Sequence, residues 1–362
     1  MNKIVFLCGA RDYHAMDWYS NAKYLIRNYK PIILTDLIQG EGFKKLVTEE
    51  DKIDNLLIID RLLFSKQSKI GNIWRNFIKL LVLPIQVQIL KKHNKNSNHI
   101  YWAHSMYYLW LAYFAGVDYI GTPQGSDILI KPYRSKLYKF LSVKALKGAL
   151  HITVDSEKMS KKCLELSSRT ALIIQNGINI KLIKETLENG TEPESLKNNI
   201  LSIRGLTPLY RIDLLSKQRD FDSKDEGITF IYPFCDETYK NNLKFHEKDI
   251  DLGRVDRVKM YRLMASHKLV ISIPSSDSSP RSVYESIFCG AIVAIDYNSY
   301  IQNLPRSMRD RIIVVDLNDP FWLSNALKSA KTMHEQKFIP CQEASNNFDQ
   351  LESLKKVLKL VL

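Results

Sequence analysis

Short apolar runs recur along this chain, and most are followed by a stretch whose apolar positions fall three and four apart. The runs have strand length and the stretches have helical period. In the first half, KIVFLCG (3–9), PIILTD (31–36), NLLIID (55–60), HIYWAHS (99–105), ALHITVDS (149–156) and TALIIQNGIN (170–179) read as strands, and DYIGTPQGSD (118–127) reads as a strand entering a loop. Between them the spacing predicts helices over 17–29, 71–92 and 134–148, with a kink at Pro84 in the second. In the second half the strands are 199–205, 228–235, 269–276, 291–297 and 311–317, and the helices include 255–266, 280–289 and 319–335. In the tail, Phe348, Leu351, Leu354, Leu358 and Val361 share one helical face. Strands alternating with helices predict an α/β protein with mostly parallel sheets covered on both faces.

A chain of 362 residues exceeds one typical core and suits two domains of about 150–200 residues. The turn Asn176-Gly177-Ile178-Asn179 and the polar, breaker-rich segment 185–199 mark the boundary. The expected layout is a doubly wound domain over 1–180, a second over 181–345, and a helix over 346–362 packing back toward the first. Two such domains facing a cleft would bind ligands at the carboxyl ends of their strands.

Composition narrows the partners. The five cysteines are scattered, without a CxxC or Cys/His cluster, so neither a disulfide framework nor a metal site is expected, and a reducing cytoplasm fits. The opening MNKIVFLCGA meets Arg11-Asp12 too soon for a signal peptide, and no run suggests a membrane span. The net charge of +13 is uneven: residues 61–150 hold 14 Lys and Arg against two acids, Asp118 and Asp127. That half should face something anionic, and nucleic acid and an anionic leaflet are the candidates. Aromatic residues among the cations (Trp74, Phe77, Tyr133, Tyr138 and Phe140) favour a membrane surface over nucleic acid, since the chain has no Gly-rich or RNP-like signature.

The chemistry concentrates in Pro274 to Val293, PSSDSSPRSVYESIFCGAIV. Ser278, Ser279 and Pro280 form the mouth of a helix, where unpaired N–H groups and a partial positive charge suit phosphate. Asp277 precedes the mouth and Glu285 lies about two turns along, where a carboxylate can accept hydrogen bonds from a ribose. Arg281 in the first turn opposes the local dipole unless an anion lies nearby. The plain alternative is a capped helix, with Asp277 as N-cap and Glu285 in solvent.

Asp277, seven residues, then Glu285-Ser286-Ile287-Phe288-Cys289-Gly290 resembles the donor-binding element of glycosyltransferase family four, retaining nucleotide-sugar enzymes of GT-B fold. The resemblance continues in order through Gly125-Ser126-Asp127, His151 to Ser156, Asn176 to Asn179, Ser202 to Tyr210 and Leu252 to Val255. It implies a GT-B fold of two Rossmann-like domains and transfer of a sugar, with retention, from a nucleoside diphosphate donor to a saccharide hydroxyl, with no cofactor. The acceptor it suggests is a lipid-linked glycan intermediate, handled by an enzyme peripheral to the inner face of the cell membrane. It implies donor contacts from Asp277 and Glu285 and a cationic clamp from Arg204 with Arg211 or Arg281. The sequence departs from the family where Gln124 replaces a histidine and where the family's lysine position looks like Tyr210.

Facing the acceptor, the reading places Arg11, Asp12 and His14 after the first strand, His104 at the end of HIYWAHS, and the Gln124, Gly125 and Asp127 loop, with His14 and His104 as candidate proton-transfer groups. Polar-loop, buried-histidine and helix-cap roles are the plain alternatives. Rival functions are a non-catalytic sugar-binding subunit of a polysaccharide assembly, a basic nucleic-acid-binding protein and a GT-B epimerase.

Overall fold

The computed structural model describes residues 3–11, 13–26, 30–63, 69–95, 97, 99–189, 198–277 and 279–361, with the side chains of 69, 70 and 72 excepted. The chain divides into two compact units, residues 1–176 with 350–362, and residues 177–349.

The first unit runs β1 (Ile4–Leu7), α1 (Tyr13–Leu25), β2 (Ile32–Thr35), α2 (Glu41–Leu46), β3 (Lys52–Asn55), α3 (Lys69–Asn94), β4 (Ile100–His104), α4 (Met106–Ala115), β5 (Tyr119–Thr122), α5 (Gly125–Leu129), α6 (Lys131–Arg134), α7 (Lys136–Gly148), β6 (His151–Val154), α8 (Glu157–Ser167) and β7 (Leu172–Ile173). The second runs α9 (Ile180–Glu188), β8 (Ile200–Ser202), α10 (Ile212–Asp222), β9 (Ile228–Ile231), α11 (Glu237–Asn241), β10 (Ile250–Gly253), α12 (Arg257–Ser266), β11 (Leu269–Ser272), α13 (Arg281–Phe288), β12 (Ile292–Asp296), α14 (Arg306–Arg309), β13 (Ile312–Val315), α15 (Trp322–Met333) and α16 (Gln342–Phe348). The chain then returns to the first unit as α17 (Gln350–Leu358), which packs on α1 and buries Leu354, Val357 and Leu358 in the core under β1.

Every strand pairing is parallel. The first sheet is ordered β3-β2-β1-β4-β5-β6-β7 and the second β10-β9-β8-β11-β12-β13. Parallel strands with both faces covered read as continuous apolar runs, and β1, β2, β9 and β11 are buried at every position. In each sheet the strand order reverses once, between β1 and β4 and between β8 and β11. At such a point the connecting helices leave to opposite faces and open a crevice beyond the strand ends.

Five local features differ from the expectations. NLLIID is not a strand: β3 lies earlier, at the partly exposed edge, and Leu56, Ile59 and Asp60 are buried in the turn that follows. Asp60 earns its burial by accepting the backbone N–H groups of Ile38 and Gln39. Helix α4 was not foreseen, because its residues are apolar on all sides and carry no helical period. It is wedged between α3 and α7 over the sheet. The segment after β5 is the short helix α5 where a loop was expected, and α9 begins the segment that looked like linker. Finally, α3 has a 22-residue stretch, Ile73–Asn94, that is long and apolar enough to cross a membrane by length and composition.

Candidate functional site

In the second unit the switch point lies between β8 and β11, and a charged group follows each strand. Arg204 comes two residues after β8. Its Nε donates to Ser272 Oγ at the end of β11 (2.7 Å), and its terminal nitrogen meets Asp277 Oδ2 at 2.5 Å. The guanidinium lies over the Tyr210 ring, 5.5 Å from its centre. Neighbouring Gly205 is packed so closely that a Cβ there would sit 2.5 Å from the Phe234 ring, so a side chain could enter only by displacing that ring.

Three residues outside the Ser-rich turn hold it. Arg211 donates Nε to the Ile273 carbonyl (2.7 Å) and a terminal nitrogen to the Pro274 carbonyl (3.0 Å), and its charge meets Asp296 at 2.5 Å. The Leu209 carbonyl accepts the Ser275 N–H (2.9 Å), and the Asn298 amide donates to the Asp277 carbonyl (3.0 Å). These bonds give Arg211 a full structural occupation in shaping the turn, and Arg204 and Arg281 become the cations nearer the helix mouth.

Helix α13 begins behind Pro280, which takes the N-cap position and has no side-chain acceptor to offer the helix. Asp277 therefore does not take the N-cap role of the plain reading; its carboxylate is turned to Arg204. Glu285 is not in solvent either. It is 5% exposed, its Oε1 accepts the Tyr261 hydroxyl at 3.1 Å, and Arg281 Nε lies 3.7 Å from the same oxygen. Burial, then the Glu285 charge, pushes the Tyr261 phenol well above its ordinary range, so Tyr261 remains a donor. Ser279 lies at the mouth, within reach of the Tyr284 hydroxyl at 3.4 Å. Ser278 falls outside the described residues. Asp296, Asn298, Ser272 and Tyr261 were missed from sequence. Asp296 had a usable signal, an acid at the carboxyl end of an apolar strand.

In the first unit the switch point between β1 and β4 gathers Arg11, His14 and His104, and Asp12 falls outside the described residues. Arg11 is held through its carbonyl, which accepts the Gly42 N–H at 3.1 Å. His14 is exposed. His104 is buried, stacked on Phe6 with ring centres 5.9 Å apart and tilted against Trp102 at 4.9 Å. Burial, with His14 adding a smaller like-charge effect, pulls its pKa down to about 3, so at neutral pH the ring is uncharged.

That shift has a stability consequence. The unfolded chain takes a proton on this ring near pH 6.5 and the folded chain does not, so the native state loses ground as pH falls from 6.5 toward 3. Replacing His104 by Phe should remove the effect. Between pH 7.5 and pH 5 the wild type should lose about 2 kcal/mol more unfolding free energy than His104→Phe, read from urea titrations. Parallel pH profiles would mean that the ring is protonated in the folded state.

Gln124 and Gly125 open α5, with Gln124 exposed. Asp127 is buried and takes four donors: the N–H groups of Met106 (2.9 Å) and Gln124 (3.2 Å), the Lys131 ammonium (2.7 Å) and the Tyr138 hydroxyl (3.1 Å). It ties the β4–α4 corner to α5, α6 and α7. A buried group not foreseen lies beyond β2. Asp36 accepts the Tyr108 hydroxyl, and Lys79 Nζ from α3 stands 3.4 Å from Asp36 and 3.2 Å from Tyr108. Burial lowers the Lys79 pKa, and the Asp36 charge opposes that shift. Among the described residues no group of three or more His, Cys, Asp or Glu is placed to hold a metal ion.

No family model matches the sequence, and no curated protein matches it. Solved structures do match in fold over nearly the whole chain. HepE of Anabaena in complex with UDP-glucose superimposes with a TM-score of 0.69 at 14% identity, covering 99% of each chain. Sucrose-phosphate synthase from Thermosynechococcus elongatus gives 0.69 at 12% identity, over 99% of this chain and 98% of that one. An enzyme described as a putative UDP-N-acetylglucosamine 2-epimerase from Listeria monocytogenes gives 0.61 at 12% identity, over 98% and 94%. At these identities the likeness is one of fold, and that fold, two parallel α/β sheets each with a single reversal of strand order, is the GT-B fold of nucleotide-sugar glycosyltransferases.

Proposed function

We propose that the chain is a nucleotide-sugar-dependent glycosyltransferase that moves a sugar, with retention, from a nucleoside diphosphate to a saccharide hydroxyl. The observation that carries the reading is the Arg204–Asp277 pair across the β8/β11 switch point, beside the mouth of α13 and two turns from Glu285. The α13 N-terminus, Arg204 and Arg281 would take the charge that grows on the departing diphosphate. Glu285 would hold the ribose through Oε2, since Tyr261 and Arg281 both engage Oε1. Asp277 would contact hydroxyls of the transferred sugar. Retention without a carboxylate nucleophile would proceed by same-face attack, the leaving phosphate accepting the acceptor's proton. A lipid-linked glycan intermediate is the acceptor class we favour, on the basic surface of the first unit.

Thermal shift with UDP, GDP, ADP and CMP should single out one base. For that nucleotide, Glu285→Gln should weaken affinity by about 1.5–3 kcal/mol, because a charge-assisted pair of hydrogen bonds becomes neutral while the Tyr261 bond is kept. Unchanged affinity in the folded variant would sink the ribose assignment. Slow hydrolysis of the sugar donor by the wild type separates an enzyme from a non-catalytic binding subunit. Release of free sugar with its configuration unchanged at every stereocentre other than the anomeric carbon separates transfer from epimerisation.

A further inference from the structure

Helix α3 is long and apolar, yet only 28% of its Ile73–Asn94 stretch is buried. Its inner face belongs to the core: Ile78, Val82, Val87 and Leu90 are buried, and Gln86 accepts the Tyr107 hydroxyl of α4. Its outer face carries Ile73, Phe77, Leu80, Leu81 and Ile85, each 47–72% exposed. The spacing is that of one helical stripe, about 18 Å long at 1.5 Å per residue. An apolar strip of this kind, continuous and uncovered, is not the ordinary scatter of surface hydrophobics.

The stripe has a charged companion. Helix α4 packs against α3 on one side and α7 on the other, so α3 and α7 flank it in a single layer over the sheet. On α7, Leu137 (62%) and Phe140 (58%) are exposed among Lys136, Lys139, Lys144 and Lys147. Lys91, Lys92 and Lys95 are exposed at the far end of α3. Of the two acids between residues 61 and 150, Asp127 is buried among its donors, and Asp118 is the one exposed.

We propose that the α3–α4–α7 layer docks on an anionic phospholipid bilayer, with the α3 stripe and Leu137 and Phe140 in the interface and the lysines on the headgroups. The helix lies in the plane of the surface and does not span, because its inner face and the Lys79–Asp36 pair are part of the folded unit. Charge complementarity selects the leaflet, and the apolar stripe selects lipid over nucleic acid, which has phosphates for the lysines but no apolar phase for five aliphatic and aromatic side chains. An enzyme placed there would meet acceptors that never leave the membrane.

The test uses the full chain and sedimentation with phosphatidylcholine vesicles, with and without phosphatidylglycerol. The wild type should pellet with the anionic vesicles at low salt, at least about tenfold more tightly than with neutral ones, and release in high salt. The variant Phe77→Ser/Leu81→Ser/Ile85→Ser should lose at least about tenfold in vesicle affinity, and so should Lys136→Glu/Lys139→Glu/Lys144→Glu. All six positions are exposed, so unfolding midpoints should stay within a degree or two. Nucleotide binding, which depends on residues of the second unit, should not change in either variant; its loss in the wild type would count against the transferase reading alone. Wild type remaining in the supernatant with anionic vesicles overturns the docking proposal. So does a serine variant that pellets like wild type, or a wild-type dimer that the serine variant turns into a monomer. Binding to single-stranded nucleic acid that survives the serine changes while vesicle binding is absent overturns it too.

Discussion

Asp277→Asn should lower turnover by on the order of 100-fold while changing affinity for the free nucleoside diphosphate less than about threefold. The carboxylate pairs with Arg204, 2.5 Å away, and in the proposed reading it would contact the transferred sugar. With donor bound, Arg204 would turn to the diphosphate and Asp277 to the sugar hydroxyls near the reacting carbon. Asparagine keeps the shape but loses the charge that both orients the guanidinium and offsets positive charge developing on the sugar. The free nucleotide lacks the transferred sugar that Asp277 would hold, so in the proposed reading its affinity would report Glu285 and the helix mouth. The Asn298 side-chain amide donates to the main-chain carbonyl of Asp277, a bond that survives the change and keeps the turn in place. The measurements are steady-state donor hydrolysis and calorimetric nucleotide titration. Equal losses in both would show that Asp277 shapes the whole turn and has no particular relation to the sugar.

Asp249→Leu should destabilise the second unit by about 3–5 kcal/mol, the largest stability effect expected from a single change in this chain. Arg219 is wholly buried on α10, and one terminal nitrogen pairs with Asp249, itself 1% exposed. The same carboxylate accepts the N–H groups of Ile228, at the start of β9, and His246, both at 2.8 Å. Leucine would strand a buried guanidinium and two backbone donors together. The bond from Arg219 Nε to Asp220 (2.7 Å) remains, but Asp220 is half-exposed and cannot replace the lost partner. If the cost comes from the stranded charge, Arg219→Met combined with Asp249→Leu should cost less than the two single changes summed. Simple additivity in urea unfolding would mean that the pair is not coupled, and that the backbone donors alone account for the loss.

The alternation of apolar runs with helical stretches was enough to specify parallel α/β architecture, because fully covered strands must be apolar along their length. It also marked the turn and helix at 277–288, since Ser-rich sequence, Pro280 and a change of period coincide there. What has no local signature was not legible. Helix α4 is apolar on every side because it is enclosed, and enclosure erases the period. Strand β3, at the sheet edge, is polar enough to pass for a turn, while the apolar run beside it is the buried turn. The site shows the same division. The Ser-rich turn singled out Asp277, and the family resemblance pointed to Arg204, 73 residues away; the reversal of strand order between β8 and β11 brings them within 2.5 Å. The family resemblance offered Arg211 as an alternative to Arg281 in a phosphate clamp, and only the folded chain shows its bonds to Ile273, Pro274 and Asp296, which brace the turn. The positive charge of residues 61–150 and the apolar residues among the cations of α3 were visible in the sequence, but which of those residues stay exposed was not. Which face of a helix stays uncovered is decided by what packs on the other face, and that depends on contacts between segments far apart in the chain.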